Sequence, residues 1–465
     1  MPELPEVETV RRYLEKSALN ETTIGVKILY SPLVRTNLDK FLEYFSKPHK
    51  IVSFTRKGKY LLVHFEGEHI LLVHFRMEGK LYPVDSLEGN LDSYVTAYFP
   101  LLSGRVLIFH DVRKFGTMSL YQESEAASSK ELRDLGPEPS EIRDPDYFYQ
   151  AFGKLKGTSL KEALLDQRIV SGIGNIYSDE ILFLSRLNPF VPARSITRDQ
   201  SAVLLKNARE VLEKAVEAHG STIRTYHPAP GQNGSAQFGL FVYGREGKPC
   251  KICGERVQKL FLNGRGTEFC PRCQHVAPSI AVTGKIAVGK SQVLKAFGNL
   301  GCATASCDAM VHEMYADPTF LEKLHKKFPE LFTKRGLSKK RVMKNMMASP
   351  SFRRSYQLFV WAEVRRRTND FLVAHAEEIC CVEVPLLFDA KMEKQFTYLV
   401  GVESDKQVEY LLDRHDYDVD KRLKLNKKNS YDRNRSKLDF VLVNNGSKEE
   451  LLAQVSRIYA SVKKE

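Results

Sequence analysis

The chain has 465 residues, of which 43% are hydrophobic and 27% charged, and a formal net charge of +13. Those fractions are close to globular averages and exclude long disorder, collagen and coiled coil. At roughly 100–200 residues per domain, the length predicts two to four domains. No apolar run approaches the roughly 18 residues of a membrane span, and the opening Met1-Pro2-Glu3-Leu4-Pro5-Glu6 is acidic and turn-like, unlike a signal peptide. A cytoplasmic protein with no membrane association and no obligate protein partner is expected. The basic balance hints at nucleic acid, but residues 1–274 carry only +4 of the excess and residues 275–465 carry +9. Local motifs, not bulk charge, must assign DNA binding to the first part.

Pro2 follows a methionine whose removal is expected, because proline is small. A free N-terminal proline is a secondary amine, and an α-amino group titrates near about 7.7–8, so a useful fraction is neutral at physiological pH. Such an amine attacks electrophilic carbon to form an iminium, and the adjacent Glu3 is a candidate acid or base. Residues 23–122 are rich in alternating β-branched and aromatic residues, as in Tyr60-Leu61-Leu62-Val63-His64-Phe65 and Arg105-Val106-Leu107-Ile108-Phe109, which predicts a β-sandwich or barrel. Leu135-Gly136-Pro137-Glu138-Pro139 reads as a boundary turn. From about 145 to 220 the pattern is helical, as in Gln200 to His219, and Gly231 to Gly234 marks a loop.

Cys250-Lys251-Ile252-Cys253 and Cys270-Pro271-Arg272-Cys273 follow. Two such knuckles bring four thiolates into a tetrahedron around Zn²⁺, with no ligand position left for a catalytic water, so the zinc is structural. Between them Asn263-Gly264-Arg265-Gly266-Thr267 predicts a tight turn with Arg265 at its tip, placed either to grip a phosphate or to stand solvated. Cys302, Cys307, Cys380 and Cys381 are scattered and read as small buried hydrophobes.

The ordered set of motifs in residues 1–274 resembles formamidopyrimidine-DNA glycosylase. The opening Met1 to Arg12 is similar to that family's N-terminus, Arg56-Lys57-Gly58-Lys59-Tyr60-Leu61 to its lysine hairpin, and Arg76-Met77-Glu78-Gly79 with Asp111-Val112-Arg113-Lys114-Phe115-Gly116 to its intercalation loops. Asp166-Gln167 through Gly172-Ile173-Gly174-Asn175-Ile176-Tyr177 resembles its helix–two-turn–helix motif, and the zinc finger closes the set. The resemblance implies that Pro2 attacks C1′ of a damaged nucleoside and becomes a Schiff base. It further implies that Glu3 protonates the opening sugar, Lys59 aids β-elimination and Arg265 aids δ-elimination while holding phosphate. Lys156, Asn175 and Arg265 would pin the backbone, while Met77, Arg113 and Phe115 would fill the hole left when the nucleotide flips out, as it must for chemistry on its base. The trio is more similar to the purine-lesion enzymes, implying 8-oxoguanine and formamidopyrimidines in double-stranded DNA as substrates. Two departures stand out: Tyr226-His227-Pro228-Ala229-Pro230 lies within the segment similar to the family's lesion-covering loop, and Asp92 falls where the family usually has a histidine.

After Gln274 a new strand, Ser279-Ile280-Ala281-Val282, opens 187 residues of alternating strands and helices, the pattern of a parallel α/β sheet. Gly284-Lys285-Ile286-Ala287-Val288-Gly289-Lys290-Ser291 fits the P-loop, whose amides cradle phosphates while Lys290 reaches the β- and γ-phosphates and Ser291 ligates Mg²⁺. Residues 279–465 resemble dephospho-CoA kinase through Thr283 to Ser291, Ser306-Cys307-Asp308-Ala309-Met310-Val311-His312, Glu383-Val384-Pro385-Leu386-Leu387-Phe388-Asp389 and Asp439 to Gly446. The resemblance implies ATP, Mg²⁺ and dephospho-CoA as ligands and Asp308 as the base on the ribose hydroxyl. Ser306, Trp361-Ala362, Lys285 and Ala287 depart from the family pattern, and the basic segment Lys421 to Lys437, with Arg414 nearby, is expected to close over ATP.

The expected architecture is therefore multidomain: a β-sandwich catalytic domain (1–135), a helix–two-turn–helix domain (136–240), a zinc finger (241–274) and a P-loop α/β kinase domain (277–465). The expected function is a bifunctional glycosylase/AP lyase and dephospho-CoA kinase. Two alternatives for the second half stay open, a degenerate kinase and a DNA-stimulated P-loop ATPase.

Overall fold

The computed structural model describes residues 2–221, 234–334, 336–407 and 430–464. The chain divides into two compact units, Met1–Gly244 and Arg245–Glu465.

The first unit opens with the helix Leu4–Ser17, followed by nine strands: β1 (Thr22–Thr23), β2 (Lys27–Ile28), β3 (His49–Lys57), β4 (Tyr60–Phe65), β5 (His69–His74), β6 (Lys80–Val84), β7 (Val95–Pro100), β8 (Val106–His110) and β9 (Thr117–Gln122). They form two antiparallel sheets, β1-β3-β4-β5-β9 and β2-β7-β8-β6. The period-two alternation read in Tyr60 to Phe65 is realised: Leu61, Val63 and Phe65 are buried in a core shared with Phe99, Leu107 and Phe109 of the other sheet. Helices then take over, chiefly Tyr147–Gly153, Leu160–Leu165, Asn175–Leu184 and Arg198–Glu217. The last begins at a capping box in which Thr197 Oγ1 accepts the Gln200 N–H and the Gln200 side chain accepts the Thr197 N–H. The opening helix joins the two cores. Val7, Val10 and Leu14 pack into the sandwich, whereas Leu4 packs into the helical core with Ile173, Ile176 and Tyr177. Pro2 and Glu3 are thus held where sandwich and helices meet.

The second unit begins with the cysteine-bearing ribbon of β10 (Gln258–Leu262) and β11 (Arg265–Phe269). Its larger part is a five-stranded sheet in which all pairings are parallel. The strands are β12 (Ser279–Gly284) and β13 (Ala303–Ser306), then, after a minimal ribbon of β14 (Phe332–Thr333) and β15 (Gly336–Leu337), β16 (Cys380–Glu383), β17 (Tyr398–Glu403) and β18 (Phe440–Val443). The order β13-β16-β12-β17-β18 places β12 centrally, with all six of its residues buried. The helices Lys290–Asn299 and Lys448–Lys464 cover the sheet through Val293, Phe297, Leu451, Val455 and Ile458. The finger ribbon and the parallel sheet form one unit, so the short connection after Gln274 joins parts of one body.

Candidate active sites

Glu3 precedes the first turn of the opening helix, and its carboxylate sits on the start of another. Its Oε2 accepts the Gly174 N–H at 2.6 Å and its Oε1 the Ile176 N–H at 2.8 Å, at the N-terminus of the helix Asn175–Leu184. The close approach explains the glycines of the 172–174 turn. Gly172 has φ +95° with Leu4 packed against it, and a Cβ at Gly174 would run into the Glu3 carboxylate. Glu6 supports this arrangement by accepting the Glu3 N–H at 2.8 Å, the Tyr177 hydroxyl at 2.6 Å and the Ser221 N–H at 2.7 Å. Burial pushes the Glu3 carboxyl up to about 7; the Lys59 ammonium opposes that rise, the Glu6 carboxylate adds to it, and the Ile176 N–H opposes it.

Lys59 is itself buried, in the turn between β3 and β4. That turn is anchored by Glu138, which accepts the Gly58 N–H at 2.7 Å and two bonds from Arg56 at 2.6 and 3.0 Å. Pro2, Glu3 and Lys59 thus lie in the first unit, with Pro2 buried and bonded directly to Glu3.

The two loops expected to enter DNA share a support. A Cβ at either Gly79 or Gly116 would press on the buried Phe109 ring, so both loops lie against it. Asp111, fully buried, shapes the second by accepting the N–H groups of Arg113, Phe115 and Gly116 at 3.0, 2.8 and 2.7 Å. Phe115 is 52% exposed, with the Arg113 guanidinium 5.1 Å from its ring centroid, and Met77 is half-buried. Lys156 is exposed and Asn175 opens the helix Asn175–Leu184. Asp92 accepts the Tyr94 and Val95 N–H groups and meets His110 Nε2 at 3.1 Å, so its carboxylate is engaged by its own loop and by the end of β8. Residues 222–233, including Tyr226 to Pro230, lie outside the described residues.

In the second unit the sulfurs of Cys250, Cys253, Cys270 and Cys273 all lie within 4.8 Å of one another. Tetrahedral Zn–S bonds of about 2.3 Å space sulfurs by about 3.8 Å, and pairs at 3.9 Å (Cys250–Cys273) and 3.4 Å (Cys253–Cys270) fit that geometry. Asn263 and Gly264, with φ +47° and +76°, make the two-residue turn that suits a twisted ribbon. Arg265 stands exposed beside it.

The P-loop joins β12 to the helix Lys290–Asn299 at the carboxyl end of the sheet, where open α/β sheets bind ligands. A Cβ at Gly289 would strike the Asn444 side-chain amide, whose nitrogen donates to the Val288 carbonyl at 3.0 Å. The Lys290 ammonium donates to the Lys285 carbonyl at 2.7 Å, and Lys285 pairs with Asp432 at 2.8 Å. Ser291 Oγ lies 3.4 Å from Glu383 Oε1, at the end of β16 next to β12. A hydroxyl and a carboxylate side by side are hard oxygen donors suited to Mg²⁺. Asp308 is exposed in the first turn of the helix Cys307–Met314, just past the end of β13, where Ser306 is in register with Glu383. Arg414 and residues 421–429 of the basic segment lie outside the described residues.

Comparison with known proteins places the glycosylase likeness across the first unit and the finger, and the kinase likeness on the remainder of the second unit. Residues 1–118 match the family model of the formamidopyrimidine-DNA glycosylase N-terminal domain, residues 135–227 its H2TH domain, and residues 247–276 the zinc finger found in FPG and IleRS. The formamidopyrimidine-DNA glycosylase of Ligilactobacillus salivarius is 40% identical over 279 residues, covering 59% of this chain and 99% of that one. The chain belongs to the formamidopyrimidine-DNA glycosylase family. The Bacillus licheniformis member is 42% identical over 278 residues, with the same coverage. The solved structure of Lactococcus lactis Fpg with an abasic-site-containing DNA matches with a TM-score of 0.55 at 36% identity, covering 58% of this chain and 99% of that one. Residues 279–450 match the dephospho-CoA kinase model, so a dephospho-CoA kinase domain follows the glycosylase part in the same chain.

Several residues that organise these sites stand inside segments singled out in the sequence without a role of their own. Glu6 had a local signal, since it stands three residues after the residue that precedes the helix. Glu138, Asp111 and Glu383 lie within the boundary turn, the second intercalation loop and the Glu383–Asp389 motif, but the partners that define their roles are not legible there. Among the described residues no helix is long and apolar enough to cross a membrane.

Two consequences follow for the second unit. Structural zinc supplies about 10–16 kcal/mol of coupled folding free energy in small finger peptides, far more than a two-stranded ribbon holds alone. Cys253→Ser is therefore expected to lose the bound zinc, measured by elemental analysis, and to abolish nicking of lesion DNA while CoA formation persists. Ala287 has φ +60° in the P-loop, a conformation that costs a non-glycine residue roughly 1–2 kcal/mol. Ala287→Gly relieves that strain against a gain in unfolded-chain entropy of about 0.4–1 kcal/mol. Calorimetry is expected to find unchanged or higher stability, by up to about 1 kcal/mol, with ATP binding retained.

Proposed function

We propose that the chain is a bifunctional enzyme: a DNA glycosylase/AP lyase acting on oxidised purines such as 8-oxoguanine and formamidopyrimidines, and an ATP-dependent dephospho-CoA kinase. The observation that carries the first activity is the buried Glu3 carboxyl, seated on the Gly174 and Ile176 N–H groups and covalently next to Pro2, with burial raising its pKa against the pull of Lys59. With Met1 removed, the Pro2 nitrogen attacks C1′ of the flipped nucleotide, the bond from C1′ to the base breaks, and the proton of the attacking amine neutralises the departing base. The proton of Glu3 passes to the ring oxygen as the sugar opens and leaves C1′ as an iminium. Loss of a C2′ proton, aided by Lys59, then breaks the C3′–O bond. A second elimination, aided by Arg265, breaks the C5′–O bond. Met77, Arg113 and Phe115 fill the vacated stack, while Lys156, Asn175 and Arg265 hold backbone phosphates. Zinc held by Cys250, Cys253, Cys270 and Cys273 fixes the ribbon that carries Arg265.

For the second activity, the P-loop amides and Lys290 cradle the ATP phosphates. Ser291 and Glu383 would hold Mg²⁺, which when bound would supply charge neutralisation at those phosphates. Asp308 accepts the proton of the 3′-hydroxyl of dephospho-CoA as that oxygen bonds to the γ-phosphorus and ADP leaves.

The test has two arms. Borohydride should trap one chain covalently on an 8-oxoguanine duplex, and ATP, Mg²⁺ and dephospho-CoA should yield CoA. Failure of either arm removes that activity from the reading.

A further inference from the structure

The finger ribbon is seated on the kinase fold, and the seat is charged. The Asn369 side chain clasps the backbone of Phe261 in β10: its amide nitrogen donates to the Phe261 carbonyl and its oxygen accepts the Phe261 N–H, both at 2.6 Å. Gln258 donates to Thr397 at 2.8 Å. Thr397 precedes β17 and bonds to Ser279 at the start of β12. The ribbon therefore docks at the amino ends of the strands, whereas the P-loop lies at their carboxyl ends.

Beside the clasp opens a cavity of about 810 Å³, bordered by the ribbon tip at Asn263 and Gly264 and by the helix Pro350–Ala374. Five cations line it, Lys259, Arg365, Arg366, Lys391 and Lys394, against two carboxylates, Glu246 and Asp370. Lys259 is taken by Glu268 at 2.9 Å, and Arg366 by Glu363 and Asp370, both at 2.6 Å. Arg365 spends one N–H on the Ala390 carbonyl. Lys391 and Lys394 are exposed and make no ion pair among the described residues.

We propose that this face of the kinase domain binds the sugar–phosphate backbone of duplex DNA, continuing the grip of Arg265 onto Lys391 and Lys394. The inference rests on the reading that the ribbon tip meets DNA. Duplex DNA carries one charge per roughly 1.7 Å of axis, so a duplex held at the tip sweeps further phosphates past adjoining cations. A nucleotide ligand is the weaker fit, because the nucleotide loop is at the other end of the sheet.

The test uses the full zinc-loaded chain and a duplex of about 30 base pairs with a stable abasic analogue, titrated across a range of salt concentrations. Lys391→Gln with Lys394→Gln is expected to weaken binding and to lower the slope of log affinity against log salt by about 2, close to 0.9 per lost phosphate contact. CoA formation and borohydride trapping at saturating DNA should be unchanged. An unaltered slope in a variant that still binds the lesion duplex overturns the proposal. Arg265→Ala separates the two readings: if it binds DNA as the unmodified chain does, the reading of the ribbon tip fails, and this extension with it.

Discussion

Replacing Glu3 by Gln is expected to slow base excision from an 8-oxoguanine duplex by about 10²–10⁴-fold, the usual worth of a positioned general acid, while trapping on a preformed abasic site survives. The difference arises in the chemistry. An intact nucleoside has a closed sugar whose ring oxygen must be protonated, whereas an abasic site already presents an aldehyde fraction to the Pro2 amine. The pH profile follows from the same group. Burial holds the Glu3 carboxyl near 7 against the pull of Lys59, so its acid form is abundant below that pH and lost above it. The proline amine works in the opposite sense, its neutral form growing up to about pH 8. Single-turnover excision should therefore peak between about pH 7 and 8 and fall about tenfold per unit above. Abasic-site trapping should lack the alkaline fall. Gln keeps the shape but sets an amide N–H against the Gly174 or Ile176 N–H, at a cost of about 1–3 kcal/mol. A melting curve on the same sample separates that loss from the chemical one. Excision retained in the Gln variant, or an alkaline fall on both substrates, would remove Glu3 from the role of acid.

Legibility in the sequence tracks how local each constraint is. Cys250 to Cys273 can be read from spacing, because two knuckles need only short stretches of chain. The strand Tyr60–Phe65 can be read because burial on one face imposes period two. The same cannot hold for Glu383. Its carboxylate reaches Ser291 only because β12 and β16 are neighbours in a sheet whose order is not written in any one segment. The finger motif reads as the close of the glycosylase set, yet the ribbon is folded into the kinase unit. The ties that hold it there are long-range: Asn369, unremarked in its helix, bonds Phe261 108 residues away, and Gln258 bonds Thr397. Gly174 is visible as part of a motif, but the reason for it, a carboxylate where its Cβ would be, emerges only when residue 3 meets residue 174.

Lys290→Ala should lower CoA formation on the order of 10²–10³-fold, the cost of removing a charge-stabilising donor from a preorganised site, and leave borohydride trapping on lesion DNA untouched. The variant should fold, since Ala is the best helix former and Lys290 is the first residue of its helix. Its ammonium is turned back over the loop onto the Lys285 carbonyl, and in the proposed mechanism it would meet the β- and γ-phosphates of ATP. Ser291 and Glu383 would still hold Mg²⁺, so nucleotide binding should weaken less than turnover falls. That split between binding and rate tells a lost transition-state contact from a collapsed loop. The departures at Ser306 and Trp361-Ala362 are tested in the same assay by the unmodified chain. CoA formation there means that Asp308, exposed past β13, suffices without a carboxylate at position 306. ATP hydrolysis that rises with DNA and ignores dephospho-CoA would instead make the P-loop half an ATPase serving the glycosylase. Turnover of neither kind, with ATP still bound, would leave it a nucleotide-binding support for the ribbon that Asn369 holds.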